Sequence, residues 1–180
     1  YEGADSAIIE PLFAQLGWKK PQKFMQRYHF HVPSFAPEWF KKIYPLPNDF
    51  TIVPWTQVTD MERRHIQHQL QQGTFPVIVY PLGEDASLIE PLNSLALRYK
   101  GTLIGWMVNH RMTPDTIRYA YFYVEDDFRH QGVSVRMLID SIRLQQTSDI
   151  PKAVFEIRDA RADERWKRFI MNRLAPYSQA

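Results

Sequence analysis

The sequence predicts an α/β (α+β) domain: a mixed, mostly antiparallel central sheet with helices on its faces. Three strand-like segments follow one another closely, at 94–99, 102–110 and 116–124, joined by turns too short for anything but antiparallel hairpins. The last of them leads into a helical segment and then a buried-type strand at 153–157, the length of a right-handed parallel crossover. Helical and strand periodicities also alternate along the rest of the chain, as layered α/β proteins require.

Residues 6–17 (SAIIEPLFAQLG) put Ile8, Ile9, Leu12, Phe13 and Leu16 at helical spacing, with Asp5 or Ser6 as cap and Gly17 as terminator. Pro11 costs that helix an interior hydrogen bond. Residues 22–32 (QKFMQRYHFHV) read as a strand built on Phe24, Tyr28 and Phe30. Pro33, Pro37, Pro45 and Pro47 punctuate a linker over 33–48 that holds one short helix near 37–42. A second organisation starts at Asp49: FTIVPW (50–55) reads as a strand, and Thr56 to Gly73 as a helix with Asp60 in its first turns. FPVIVY (75–80) is apolar and β-rich, but Pro76 and Pro81 oppose a paired strand. Residues 83–92 read as loop or a short helical turn. Lys100-Gly101 makes a tight hairpin turn, and Thr113-Pro114-Asp115 turns the next pair. After Val124 a polar loop leads to a helix from Val133 to about Gln146, with Val135, Met137, Leu138 and Ile142 on its apolar face. A last helix spans 162–174.

Composition narrows the function. A chain of 180 residues makes one domain the leading expectation and buries about 70% of its unfolded surface. The absence of cysteine excludes a disulfide scaffold, Cys-ligated zinc, iron–sulfur clusters and a thiol nucleophile. A net charge of +2 gives no bulk argument for nucleic acid or an anionic membrane. No apolar run approaches the ~18–20 residues that cross a bilayer. The start, YEGADSAIIE, is acidic where a signal peptide is basic. It begins with Tyr1, so the chain reads as part of something longer, and a cytoplasmic location is expected.

The stretch Tyr121–Leu138 (YFYVEDDFRHQGVSVRML) carries the most chemistry. A strand ends, a short polar loop follows, and a helix opens near Gly132. Helix openings present free N–H groups and a positive dipole end, which suits phosphate. Gly132 and Ser134 are small enough for close approach of a pyrophosphate, and Arg129 stands at the lip. On these residues alone, a turn glycine in a solvated basic loop is the favoured reading.

Arg129-His130-Gln131-Gly132-Val133-Ser134, with its lead-in Tyr123–Phe128, resembles the R/Q-x-x-G-x-G/A pyrophosphate loop of the GNAT superfamily of acyl-CoA N-acetyltransferases. Tyr99–Trp106, with Gly105 and Trp106, resembles that family's second hairpin, and Phe50–Asp60 its opening strand and acidic helix start. The resemblance covers 49–174. It implies a sheet that splays open after residues 116–124 and an acetyl-CoA co-substrate lying in the split. The pantetheine would run along the backbone of Phe122, Tyr123 and Val124, with the pyrophosphate on Arg129, His130, Gln131, Gly132, Val133 and Ser134. An amine, small or on a protein, would attack the thioester directly, with Glu125, Tyr123 and Tyr121 as candidate catalytic residues. Without cysteine no acyl-cysteine intermediate is available.

The sequence departs from the family pattern at Ser134, at Arg158-Asp159, and in the last helix, where Met171 stands at the position of the family's acidic tyrosine and Leu174-Ala175-Pro176 replaces Leu-Gly-aromatic. Methionine donates no proton, so a GNAT-fold module that binds acyl-CoA, or only a partner, without turnover is the alternative. Tyr119, Tyr121 and Tyr123 alternate on one strand face, either as aromatic core or with one in an acceptor pocket. No metal is expected: Glu62, His65 and His68, or His29 and His31, share a face without a completing ligand. The arginines between 158 and 173 read as a solvated helix face, so no nucleic-acid or membrane partner is expected.

The two ends echo each other: Ala4-Asp5 aligns with Ala162-Asp163, and Leu16-Gly17-Trp18 is the element the C-terminus lacks. Residues 1–32 therefore look like the helix-plus-strand tail of a GNAT unit, ahead of a linker at 33–48 and a GNAT domain at 49–180. Either the chain derives from a tandem protein, or 22–32 completes the sheet beside 153–157, including by strand exchange in a homodimer. Sheet completion is favoured, because an open strand edge beside a cofactor cleft invites aggregation.

Overall fold

The computed structural model describes residues 6–19, 25–42, 44–158 and 164–178. The proposed cap Asp5, the strand start at 22–24 and the helix start at 162–163 lie outside them. In chain order the elements are α1 (Ser6–Gln15), β1 (Met25–His31), β2 (Phe50–Pro54), α2 (Asp60–Gln71), β3 (Leu95–Tyr99), β4 (Thr102–Thr113), β5 (Thr116–Val124), α3 (Val133–Gln146), β6 (Lys152–Arg158) and α4 (Glu164–Arg173). They build one six-stranded sheet in the order β1-β6-β5-β4-β3-β2. Only the β5–β6 pair is parallel, joined by the α3 crossover, and every other neighbour is antiparallel.

Local chemistry accounts for most boundaries. Lys100 and Gly101 both take positive φ, 49° and 83°, which a two-residue turn between twisted strands demands. The helix expected from Thr56 begins instead at Asp60. Thr59 accepts from the Glu62 N–H and the Glu62 carboxylate accepts from the Thr59 N–H, a reciprocal cap, so Trp55–Gln57 stay in a separate helical turn. The apolar run 75–80 forms no strand. Pro76 removes a ladder donor, and Val77–Val79 close a single helical turn whose Val79 carbonyl accepts from the Trp106 indole at 2.8 Å.

Each face of the sheet carries its own core. On one, α3, α4 and the segment 32–46 bury Tyr28, Phe30, Phe35, Trp39, Met137, Ile142 and Ile170. On the other, α2 and the 75–82 segment bury Ile66, Phe75, Trp106, Val108 and Tyr123. The proline-punctuated stretch is thus packed in, held by the Gln146 amide donating to the Val32 and Phe35 carbonyls at 3.0 Å each. Buried Asn109 ties the layers together, donating to the Asn93 carbonyl (2.8 Å) and to Ser141 Oγ of α3 (2.9 Å). Strand β1 pairs with β6 over its whole length, from Met25 opposite Arg158 to His31 opposite Lys152. Of the apolar residues at helical spacing over 6–17, Ile8, Leu12 and Leu16 are exposed.

Candidate active site

The sheet forks between its two parallel strands. Ladder pairs join β5 to β6 from Thr116–Lys152 to Tyr119–Phe155, and there they stop. Beyond that point β6 stays with β1, while Tyr121–Val124 stay with β4. The split therefore opens inside β5, four residues along it, rather than after its end. A bulge marks the same place. Val108 faces Tyr121 and Asn109 faces Tyr119, so Ala120 is the extra residue on β5.

That bulge overturns the expected alternation of three tyrosines on one face. Tyr119 packs with the α3-side core and its hydroxyl donates to Gln145 at 3.0 Å, whereas Tyr121 and Tyr123 belong to the α2 side. One inserted residue reverses every side chain beyond it, and periodicity alone carries no sign of the insertion.

The fork opens a cleft of about 1080 Å³ lined from both faces. Phe122, Tyr123, Val124, Glu125, Arg129, His130 and Ser134 line it, as do Tyr119 and Tyr121. Gln131 is exposed, Val133 is buried in the core, and neither forms part of the wall, nor does Gly132. The loop between β5 and α3 is a helical turn, Asp126–Gln131, pinned by Phe128 against Tyr99 (4.9 Å) and Phe50 (5.7 Å). Gly132 joins the turn to α3 at φ 74°, a left-handed conformation that a side chain would strain. No side chain caps α3 there, so its first-turn N–H groups lack an intrahelical or capping side-chain partner beside the cleft.

The charged residues divide into two groups. At the mouth, the Arg129 guanidinium donates to the Val124 carbonyl at 2.7 Å, pairs with Asp126 at 2.7 Å and lies 5.7 Å over the Tyr123 ring. Burial pushes the Glu125 carboxyl up, against the lowering effect of a Gln69 hydrogen bond and of His65. Burial likewise raises the Tyr123 phenol, and the nearby Glu125 adds to it.

At the throat, Tyr121 donates to Asp85, its oxygen 2.9 and 2.8 Å from the two carboxylate oxygens. Asp85 also meets Arg118 at 3.2 Å and buried His110 at 3.4 Å, and Arg118 lies 2.8 Å from His110 Nδ1. Beyond Arg118 stands Glu156, held by Arg27 at 2.9 Å. Sequence reasoning missed Asp85, Arg118 and Glu156. Asp85 sits in a short helical turn, Glu84–Leu88, between the main elements, and the other two lie on strands where a charge reads as solvent-facing.

Met171 is half-exposed on α4, and the Tyr28 hydroxyl donates to its sulfur at 3.3 Å. Among the described residues no three His, Asp or Glu side chains converge as a metal site. Glu62 is taken up by Thr59 and by Arg98, at 2.7 Å. No helix among the described residues is long and apolar enough to cross a membrane.

No protein-family model matches the chain. No curated protein matches it by sequence. Solved structures match it by shape. A GCN5-related N-acetyltransferase from Sphaerobacter thermophilus aligns with a TM-score of 0.59 at 14% identity, over 93% of this chain and 53% of that one. The GCN5-related glucosamine N-acetyltransferase region of a fungal multi-domain GH3 beta-N-acetylglucosaminidase aligns at 0.56 and 12%, over 86% of this chain and 20% of that one. Ard1 from Thermoplasma volcanium aligns at 0.54 and 17%, over 69% of this chain and 80% of that one. The chain thus spans about half the length of the first of these and a fifth of the second. At these identities the likeness is one of architecture, and with the forked sheet it supports one conclusion: the chain has the fold of the GCN5-related N-acetyltransferases.

Proposed function

We propose that the protein is an N-acetyltransferase that passes an acetyl group from acetyl-CoA directly to an amine. The observation that carries this reading is the fork, where among the described residues the ladder of β5 with β6 ends at Tyr119–Phe155, next to an opening of α3 that no side chain caps. An open edge takes an extended, amide-bearing molecule as a substitute strand, and pantetheine is one. An uncapped helix opening takes its pyrophosphate. The cofactor would enter from the α3 side and the amine from the α2 side, where Tyr121, Tyr123 and Glu125 stand. Glu125, raised by burial, is suited to accept the proton an ammonium must lose before it can attack.

A second reading, an acyl-CoA-binding or interaction module without turnover, is favoured by Met171, which offers no proton to a departing thiolate, and by the guanidinium of Arg129 being engaged within the loop. Calorimetry with acetyl-CoA, followed by a thiol-release assay over an amine panel, separates the two. Absence of binding at near-millimolar cofactor overturns both. The Gly132→Glu variant is expected to abolish binding, because it puts a strained, negatively charged side chain in the loop.

A further inference from the structure

A buried acceptor stands at the apex of the fork without a donor. Asn109 of β4 faces Tyr119 of β5, the last residue in the ladder with β6. It is fully buried and yet forms part of the cleft wall. Its backbone is engaged on the β3 side: its N–H donates to Ser94 Oγ at 3.0 Å, and its carbonyl accepts from the Glu90 N–H at 2.8 Å. Its side chain meets the Asn93 carbonyl at 2.8 Å and Ser141 Oγ at 2.9 Å. A carbonyl only accepts, so the end of the amide turned to Asn93 is the nitrogen. Oδ1 is the polar atom that Asn109 has left for the cleft.

That oxygen has no hydrogen-bond partner among the described residues. The neighbouring donors are committed elsewhere. The Ser141 hydroxyl donates to the Asn93 carbonyl at 2.8 Å, the Tyr119 hydroxyl to Gln145 at 3.0 Å, and the Asn93 amide to Tyr119 at 3.3 Å. Asn93 Oδ1 is unpartnered too, but Asn93 does not line the cleft. A buried carbonyl oxygen without a donor is costly, and a donor carried into the cleft by a ligand removes that cost.

The wall around Asn109 is otherwise apolar. Phe30, Met107, Leu138, Ile142 and Phe155 line the cleft from the α3 side, all of them buried. On the acetyltransferase reading above, pantetheine lies along Phe122–Val124 with its pyrophosphate at the opening of α3, so its sulfur end points towards the apex. From Phe122 back to Tyr119 is three residues, about 10 Å of strand. An acetyl group is shorter than one strand residue and stops short of Asn109. An apolar chain that carries a hydroxyl both fills the space and gives Oδ1 a proton.

We infer that the protein also takes short hydroxyacyl-CoA donors, about four to six carbons long, with Asn109 Oδ1 accepting from the hydroxyl. The inference rests on the acyl-CoA reading above. The transfer is the same reaction: the amine nitrogen bonds the thioester carbonyl carbon, the C–S bond breaks, and the proton that nitrogen loses ends on the thiol. The hydroxyl is untouched. Asn109 is thus a specificity residue for the acyl group and takes no part in the proton transfers.

The test is calorimetric binding of matched donors to the unaltered protein: butyryl-CoA against 3-hydroxybutyryl-CoA, and hexanoyl-CoA against 6-hydroxyhexanoyl-CoA. In at least one pair the hydroxylated donor is expected to bind about tenfold tighter, as a site with an unpaired acceptor prefers the ligand that pairs it. In Asn109→Val that preference should fall to about one. If Asn109→Val does not fold, the matched pairs on the unaltered protein still decide. Equal affinities within both pairs overturn the inference, because Oδ1 then meets no ligand. A preference that survives in Asn109→Val also overturns it, since the hydroxyl is then met elsewhere. Binding of acetyl-CoA but of none of the longer donors would show that the apex is closed to them, with the acetyltransferase reading left standing. Failure to bind any acyl-CoA, acetyl-CoA included, removes the reading beneath.

Discussion

From Thr116 to Tyr119 strand β5 is paired along both edges, whereas from Tyr121 to Val124 its ladder among the described residues is with β4. The two halves share a sequence character, aromatic and β-branched, and differ in what lies beside them. In the closed half, β6 runs alongside and Tyr119 is tied to Gln145 of α3. In the open half, the bulge at Ala120 has turned the side chains over, and β6 follows β1 away. Propensity makes a strand. Whether that strand is structure or binding edge is decided by a single inserted residue and by a second strand that draws its neighbour off.

The strongest way to break this contrast is to remove β1. Deleting residues 1–32 strips β6 of the strand that, among the described residues, alone pairs with Glu156–Arg158, and removes buried Tyr28, Phe30 and Val32. At roughly 1.5–3 kcal/mol for each large apolar side chain, the loss rivals the ~5–15 kcal/mol stability of a whole domain. Calorimetric unfolding should show no cooperative transition, or one lowered by more than about 10 °C. An unchanged melting temperature would mean that β6 holds its place without β1.

A smaller change addresses the open half alone. Gly105 of β4 lies opposite Val124, and a Cβ there would sit 2.7 Å from the Tyr123 carbonyl oxygen and 3.1 Å from a Val124 methyl. Backbone cannot rotate out of the way, so Gly105→Ala should cost about 2–3 kcal/mol. Amide exchange should quicken at Tyr121–Val124 before Thr116–Tyr119. Uniform quickening would show that the two halves open as one.

The smallest effect belongs to the far side of the sheet. Arg98 of β3, with Thr59, holds the Glu62 carboxyl at about 2, below its ordinary 4.5. Because the folded value is the lower one, the stabilisation is complete above the unfolded value and fades as pH falls from about 4.5 to 2. Urea midpoints measured across that window should drop for the unaltered protein and flatten for Glu62→Gln, which costs about 1–2 kcal/mol at neutral pH. Acetyl-CoA affinity at neutral pH should not move, since neither Glu62 nor Arg98 lines the cleft.

What could be read in advance follows from the range of each interaction. Helix α3 was legible to the residue, because Gly132 and the apolar spacing from Val133 are local signals, and so was the turn at Lys100-Gly101. The run β3-β4-β5-β6 was legible through hairpin and crossover lengths, whereas the place of β2 beside β3 was not. The throat was not. Asp85 meets Tyr121 across 36 residues, and Arg27 meets Glu156 across 129, so no window of sequence contains both partners. Tyr119 was misplaced because a bulge changes the face without changing the composition.

The pairing of β1 with β6 also sets an order of events during synthesis. Arg27 and Glu156 are 129 residues apart, so the first strand leaves the ribosome long before its partner exists. Until then Tyr28 and Phe30 have no sheet to cover them, and the closing of so long a loop adds to the slow steps of folding. The edge that shuts one side of the fork is thus among the last parts of the molecule to form, and the cleft can take its final shape only once translation of β6 is done.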